Sequence, residues 1–473
     1  MQETRTTNSE ETPLLPSTEV KKSRTPLPKL QISILLLMQL AEPISSLSIY
    51  PFINQLIREI GITGGDETKV GYYAGVIESI FFVTQAITVL RWSQLSDRIG
   101  RKPVLLIGLS GLCISMLCFG LSRTFVTLII SRCICGVLNG NSGVMKSMMG
   151  ELTDSTNMAQ AFAFIPIVWC VGATIGPSMG GGLAHPHERF PGLFPGAFWK
   201  EYPYFLPCAA AAAFAAFAFL LVVFFLKDTL PRKSRAKASL ESGDSITNES
   251  ARDAIIPLRS LFIPSILIPV ANYGILALTD MCILALQPLF YSTPIEHGGL
   301  SFAPSTIGSW TAVYGFVNGI FQLTFFAHIV GRFGPKRTFR CCVCLFLPVI
   351  ALFPIMTLVV QMRGVDAITW VLLTCQMILM VMMNTAFGCI FMFVTTSAPT
   401  KRSLGAINGM GQTCASLARA FGPATATSLF AASKQFNLLG GNAVYVCLAL
   451  LACTLMHISS RLPERLPPKA GEE

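Results

Sequence analysis

Polar and charged residues fall in short clusters along this chain and separate long apolar runs. The runs lie near 30–57, 70–90, 104–121, 125–148, 159–183 and 203–226, and, after a polar gap over 227–257, near 258–290, 301–329, 339–360, 366–396, 404–432 and 441–459. About 20 predominantly apolar residues in a helix cross the hydrocarbon core of a bilayer. The pattern therefore predicts an all-α integral membrane protein of twelve crossing helices. An even number of crossings puts both termini on one side.

Composition strengthens this reading. Of 473 residues, 52% are hydrophobic and 13% charged, against about 25% charged in a soluble globular protein; the mean hydropathy is +0.58. The net charge of +10 does not point to nucleic acid, because the cations punctuate the apolar runs instead of forming one basic face. Alternating sides along the chain puts 25 Lys and Arg on the side of the N-terminus and 7 on the other, with Arg132, Lys146 and Arg419 inside segments. The positive-inside rule then makes the first side cytoplasmic. The expected organisation is a disordered cytoplasmic tail over 1–29, a six-helix bundle over 30–226, a cytoplasmic linker over 227–257, a second bundle over 258–459 and a cytoplasmic tail over 460–473. Membrane lipid is the expected surround, and the expected working unit is a monomer.

Several local features change this picture little. Most of the fifteen cysteines fall in apolar runs, where a free thiol packs as a small hydrophobe. Cys341, Cys342 and Cys344 follow a basic loop, and interior packing there competes with metal binding or palmitoylation. The first 29 residues lack the apolar core of a cleavable signal peptide. Within them, Glu10, Leu14 and Leu15 fit an acidic dileucine pattern read by sorting adaptors, a chance match being the alternative. The expected location is the plasma membrane or a vacuolar or endosomal membrane. The sequon at Asn248 lies in the cytoplasmic linker and is expected to stay unmodified. His185-Pro186-His187 reads as a turn, and neither a metal site nor a cofactor is expected.

The two halves echo each other. Arg98-Ile99-Gly100-Arg101-Lys102 recurs as Arg332-Phe333-Gly334-Pro335-Lys336, each after the second segment of its half. Gly176-Pro177 in the fifth segment recurs as Gly422-Pro423 in the eleventh. Glu42, nine residues before Pro51, has a counterpart in Asp280, eight before Pro288. Two pseudo-symmetric six-helix bundles with a binding site between them at the midplane follow from such symmetry.

Ionisable residues at membrane depth are the functional candidates. Each costs at least about 2.5–3.5 kcal/mol to insert. Glu42 and Asp280 sit deep in their segments, and a carboxylate there can take up and release a proton as access alternates. Arg132 is the cation expected to bias Glu42. Glu78 and Arg419 stand in reserve, and Lys146 is expected to snorkel from a helix end. In the fifth segment, Gly172, Gly176, Pro177, Gly180 and Gly181 make G-x-x-x-G-P-x-x-G-G, which combines a close-packing glycine face with a proline bend.

These motifs resemble those of a known family. Asp97-Arg98-Ile99-Gly100-Arg101-Lys102, placed in a charged turn after the second segment, resembles the loop signature of the major facilitator superfamily of secondary transporters. Arg132-Cys133-Ile134-Cys135-Gly136 is similar to its fourth-helix R-x-x-x-G element. The run from Trp169 to Gly181 resembles the antiporter signature of its twelve-helix drug:proton exchangers, where the bend lies at the interface of the halves. With Lys227-Asp228-Thr229-Leu230-Pro231, the chain over about 30–459 is similar to the zinc-induced facilitator-like branch and its fungal relatives. The usual first glycine of the loop signature is Ser93 here, and its second-half copy has Val330 where the aspartate belongs. A single strong latch is therefore expected, with Asp97 bonded to Arg or helix-end amides and with Arg101 and Lys102 at the headgroup level. The paired N-terminal cysteine motif of the plant members is absent, so their substrates do not transfer.

The resemblance implies proton-coupled efflux of a small organic solute, such as a drug or secondary metabolite, through a pocket lined by helices 1, 4, 5, 7, 8, 10 and 11. An importer or facilitator, a membrane enzyme and a non-transporting sensor are the rivals. The antiporter-like fifth segment argues against the first. The five histidines without acid partners in a catalytic motif argue against the second, and the short polar tails against the third.

Overall fold

A computed structural model of the chain describes residues 25–64, 67–154, 156–229, 258–302, 304–400, 403–464 and 466. Glu10, Leu14, Leu15 and the Asn248 sequon lie outside the described residues. The first half comprises α1 (Lys29–Leu47), α2 (Glu67–Ile99), α3 (Arg101–Gly120), α4 in two pieces (Phe125–Leu138 and Asn141–Leu152), α5 (Met158–Leu183) and α6 (Phe205–Phe225). The second comprises α7 (Pro264–Ser292), α8 (Pro304–Phe333), α9 in two pieces (Pro335–Cys344 and Phe346–Arg363), α10 (Ala367–Thr396), α11 (Leu404–Gln435) and α12 (Ala443–Ser459).

Among the described residues, ten helical spans are long and apolar enough to cross a bilayer by length and composition. The other two complete the set of twelve for physical reasons. α11 has 32 residues but carries Asn408, Gln412 and Arg419, which dilute its hydropathy and which the protein itself buries or lines. α12 is apolar but has 17 residues.

Helix boundaries depart from the sequence expectation where backbone chemistry outweighs hydropathy. The first segment stops at Leu47, and a separate amphipathic helix, Ile53–Ile60, follows a turn through Pro51. Arg91–Ile99 is not a turn. It continues α2, because nothing before Gly100 breaks the helix, and charge alone does not. The fourth segment is interrupted at Asn139-Gly140, where the Trp92 indole N–H donates to Val137 O at 2.6 Å and satisfies a carbonyl freed at the break.

Four contacts define one end of the bundle. Thr25 N donates to Thr156 Oγ1 at 3.1 Å, and Gln31 Nε2 donates to Phe225 O at 3.0 Å. Lys102 Nζ donates to Val223 O at 2.8 Å and Leu226 O at 2.9 Å. The start of α1, the α2–α3 turn, the α4–α5 loop and the end of α6 thus share one end, called the tail end below.

The glycines of α5 face α1. A Cβ on Gly172 would lie 2.5 Å from Pro43 Cβ, one on Gly176 3.0 Å from Ile44 O, and one on Gly180 1.8 Å from Ser48 O; one on Gly181 would meet Pro51 Cβ at an ordinary 3.5 Å. The glycine stripe therefore joins two helices of the same half. The helix that carries it, expected to bend at the interface of the halves, also contacts α8 and α10 of the other half through its remaining surface. Pro177 sits inside the continuous helix. The second half repeats the device: a Cβ on Gly422 would lie 3.2 Å from Met281 Cβ, so α11 packs on α7 as α5 packs on α1. The remaining face of α5 meets α8, and α2 meets α11; these two pairs carry most of the contact between the halves.

Gly180→Ala should therefore force α1 and α5 apart and lower the thermal midpoint of the purified protein, at a cost of about 1–3 kcal/mol typical of overpacking. Gly182→Ala, where nothing lies within 4 Å of the added methyl, should leave it unchanged. Equal midpoints would contradict the close α1–α5 contact.

Candidate functional site

The polar network begins at the α2–α3 turn. Gly100 takes φ +107°, and a Cβ there would lie 2.3 Å from Asp228 Oδ2, so both backbone and space demand glycine. One turn earlier, Asp97 is 3% exposed. Its Oδ1 accepts from Gly405 N at 3.0 Å and its Oδ2 from Ala406 N at 2.9 Å, amides at the N-terminus of α11. Unpaired helix-start amides carry partial positive charge and favour an anion. Arg101 is fully buried and pairs with Asp97 and with Glu151 at 2.7 Å. Asp228 Oδ1 accepts from Arg101 N at 3.1 Å, and the Thr229 hydroxyl donates to Glu151. The start of the linker thus belongs to the same network.

This arrangement corrects one expectation. Arg101 does not reach the headgroups, since its charge is consumed by two buried carboxylates. Lys102 caps the last carbonyls of α6. Arg98 is exposed and takes no part in the cluster. Ser93, in place of the family glycine, fills a tight joint: a Cβ on Gly409 would lie 2.6 Å from Ser93 Cβ, and one on Gly143 2.7 Å from Ser93 Oγ. The second-half turn at Gly334 keeps φ +79° but has Val330, buried and apolar, where an acid would be needed.

A second layer of contacts lies deeper in the bundle. Lys146 is 5% exposed, and its Nζ donates to Tyr273 Oη at 3.0 Å and Gln412 Oε1 at 2.9 Å. The same ammonium lies 4.1 Å from the Phe391 ring centroid and 4.8 Å from that of Tyr273, geometry that stabilises a desolvated cation. Lys146 therefore does not snorkel. It ties α4 to α7, α10 and α11, and it lies within electrostatic reach of Glu42 and Arg419. Around it, Asn408 Nδ2 donates to Ser147 Oγ at 3.1 Å and Ser416 Oγ to Gln85 Oε1 at 2.8 Å. Asn318 Nδ2 meets Cys170 Sγ at 3.4 Å. Beyond that contact, towards the other end, no hydrogen bond or ion pair joins the halves among the described residues.

The remaining candidate charges separate into three settings. Glu42 is 4% exposed; its Oε2 accepts from Ser142 Oγ at 2.7 Å and Gln39 Nε2 at 3.3 Å, while Oε1 has no partner among the described residues. Arg132 does not bias Glu42. Its guanidinium lies 5.5 Å from the Phe119 ring centroid and 5.7 Å from that of Phe81, and the carboxylate within its reach is Glu78. The break in α4 accounts for this, since Arg132 is on the first piece and Ser142 on the second. Glu78 itself accepts from the Tyr50 hydroxyl. Asp280 and Arg419 are partly open. They lie within electrostatic reach of each other, with the Arg419 guanidinium 5.1 Å from the Trp169 centroid and 5.9 Å from that of Phe82.

At the end opposite the tails, His185 takes φ +53°. Its Nε2 is 3.0 Å from both Gln55 Nε2 and Tyr204 Oη. The Tyr204 hydroxyl donates to Glu59 at 2.8 Å; burial, then that bond and the Glu59 charge, push the phenol well above its ordinary range. His185 therefore fastens the loop after α1 to the loop before α6, consistent with a turn residue. Lys146 was expected at a helix end, and its partners Tyr273 and Gln412 escaped the sequence reading, although polar residues inside apolar runs are themselves a signal.

The arrangement is that of a helical membrane protein whose halves meet through polar contacts at one end and at mid-depth, with ionisable groups along the seam. Comparisons agree with this geometry. The family model described as Major Facilitator Superfamily matches residues 35–423. The chain is 29% identical to "Major facilitator superfamily multidrug transporter mfsB" of Aspergillus fumigatus, over 94% of this chain and 86% of that protein. It is 30% identical to "Protein ZINC INDUCED FACILITATOR-LIKE 1" of Arabidopsis thaliana, over 84% of this chain and 82% of that one. The crystal structure of the human organic anion transporter MFSD10 superposes with a TM-score of 0.66 at 18% identity, covering 92% of this chain and 100% of that one. The chain belongs to the major facilitator superfamily, and it is a secondary transporter and not an enzyme.

Proposed function

We propose that this transporter exports a small organic solute from the cytoplasm in exchange for protons, by alternating access between its two halves. The observation that carries the reading is the pair of carboxylates Glu42 and Asp280, on α1 and α7, each within electrostatic reach of a cation at membrane depth, Lys146 for the first and Arg419 for the second. Exchange needs a group that gains a proton facing one compartment and loses it facing the other. A carboxylate whose neighbours are cations, amides and hydroxyls can do so as its surroundings open and close. The fungal relative's name, a multidrug transporter, supports a small organic solute as the cargo. The tail end and linker face the cytoplasm by their excess of Lys and Arg.

In this reading the Asp97 cluster is the latch of the tail-sealed state. Of the bonds in this cluster, those from the α11 amides of Gly405 and Ala406 to Asp97 cross between the halves, so opening the tail end must break them, while Arg101, Glu151 and Asp228 hold Asp97 in place from its own half. Removing one member of a buried ion pair costs about 3–5 kcal/mol, enough to shift a two-state balance by two orders of magnitude or more. Asp97→Asn keeps an acceptor for one α11 amide but loses the charge. It should remain in the membrane at wild-type abundance while reducing vesicle transport at least about tenfold. Normal transport by that variant would remove the latch from the account.

Coupling has a separate test. Asp280→Asn or Glu42→Gln, or both, should abolish accumulation driven by a pH gradient in proteoliposomes while leaving downhill exchange measurable. Full gradient-driven accumulation by both variants would place the proton elsewhere or make the protein a uniporter.

A further inference from the structure

We propose that the partly open charges Asp280 and Arg419 select amphoteric solutes: small molecules carrying a protonated amine and an acidic group on one apolar body. This deepens the transport reading above and rests on it.

The argument starts from a contrast between two charge pairs. Glu42 and Lys146 are closed in by protein. Ser142 and Gln39 bond the first, Tyr273 and Gln412 the second, and each is at most 5% exposed. Asp280 and Arg419 are partly open, and neither has a hydrogen bond or ion pair among the described residues. They feel each other's charge but are farther apart than a 4.0 Å ion pair. Two opposite charges at membrane depth, close enough to interact and left unjoined, are expensive unless something of matching charges occupies the space.

The surroundings fix how that space would be used. The Arg419 guanidinium lies over the Trp169 and Phe82 rings, and its N–H groups, with no hydrogen bond among the described residues, suit a planar oxyanion such as a carboxylate or phosphate. Near Asp280, the Tyr314 hydroxyl accepts from Asn384 Nδ2 at 3.3 Å, which leaves its own proton available. Trp169 lies against Arg419, and Tyr314, on the Asp280 side, is within electrostatic reach of both Asp280 and Cys170, the chain neighbour of Trp169.

Charge balance then selects the ligand. A monocation beside Asp280 meets repulsion from Arg419, and a monoanion beside Arg419 meets repulsion from Asp280. A molecule bearing both groups satisfies both and adds no net charge. Such discrimination by unfavourable pairing is a common source of specificity. The other facing charges do not upset it: Glu42 and Lys146 offset each other, and Glu78 and Arg132 do so between α2 and α4. The ligand amine and the transported proton would compete for Asp280, which links this selectivity to the exchange proposed above.

Matched aromatic triads test the proposal on the purified full-length protein in lipid nanodiscs, by equilibrium dialysis. The probes are phenylalanine, phenethylamine and 3-phenylpropionate, and tryptophan, tryptamine and indole-3-propionate. In at least one triad the amphoteric member should bind about tenfold more tightly than both singly charged members. Asp280→Asn should move the preference towards the anion and Arg419→Gln towards the cation, each by about tenfold. A singly charged member that binds as tightly as the amphoteric one in both triads overturns the proposal, as does an absence of binding by all six probes. The wild-type ranking decides the matter even where a variant fails to fold. Accumulation of the cationic dye rhodamine 6G under a pH gradient, with no amphoteric preference, would overturn the selectivity and keep the transport reading. No gradient-driven accumulation of any probe or dye would overturn the transport reading itself.

Discussion

The Asp97 carboxylate, held by the first amides of α11 and by Arg101, is the contact on which the observed arrangement of the two halves depends. It joins residues 308 and 309 positions apart in sequence. In a bilayer there is little hydrophobic drive for one apolar helix face to prefer another over lipid, so association rests on close packing and polar contacts. Here both act at one place. Asp97 and Arg101 supply the charge, while Gly405, Gly409, Gly143 and the small Ser93 let α2, α4 and α11 approach closely enough to use it. A larger residue at any of these four positions would separate the helices and leave a buried ion pair half satisfied.

The mid-depth layer obeys the same constraint with a different solution. Lys146 is stabilised by two acceptors and two aromatic faces drawn from three helices of the opposite half. Its burial is tolerable only while the halves are together at that level, so its environment reports the state of the seam. Asp280 and Arg419, deeper in the bundle than the turn, are partly open and have no hydrogen bond or ion pair among the described residues. Charges satisfied by protein hold the sealed end, whereas charges left open mark the space where a solute and a proton would meet them.

Much of this was legible in the sequence, and the failures have identifiable causes. Apolar run length located all twelve spans, and the Gly100 and Gly334 turns were fixed by glycine chemistry. The positions of Asp97 and Arg101 were recognisable from the loop signature, but their partners were not, because Gly405 and Ala406 contribute only backbone amides. Helix continuation through Arg91–Ile99 was missed because charge was read as a break. Lys146 was assigned to a helix end because hydropathy gives depth along a span but not which face a side chain occupies. That Arg132 stands within electrostatic reach of Glu78 depended on the Asn139-Gly140 interruption, which puts it on a different piece of α4 from Ser142, the partner of Glu42, and is invisible to a hydropathy pattern.

In the proposed cycle, transport requires the tail-end seam to open. Gly150 on α4 and Thr395 on α10 face each other across it, and a Cβ built on Gly150 lies 3.9 Å from Thr395 Cβ, within the usual Cβ separation of a disulfide. In Gly150→Cys/Thr395→Cys protein reconstituted in proteoliposomes, oxidation should form the cross-link and arrest transport driven by a pH gradient, and reduction should restore it. Cross-linked protein that transports at the rate of the reduced form would contradict the account.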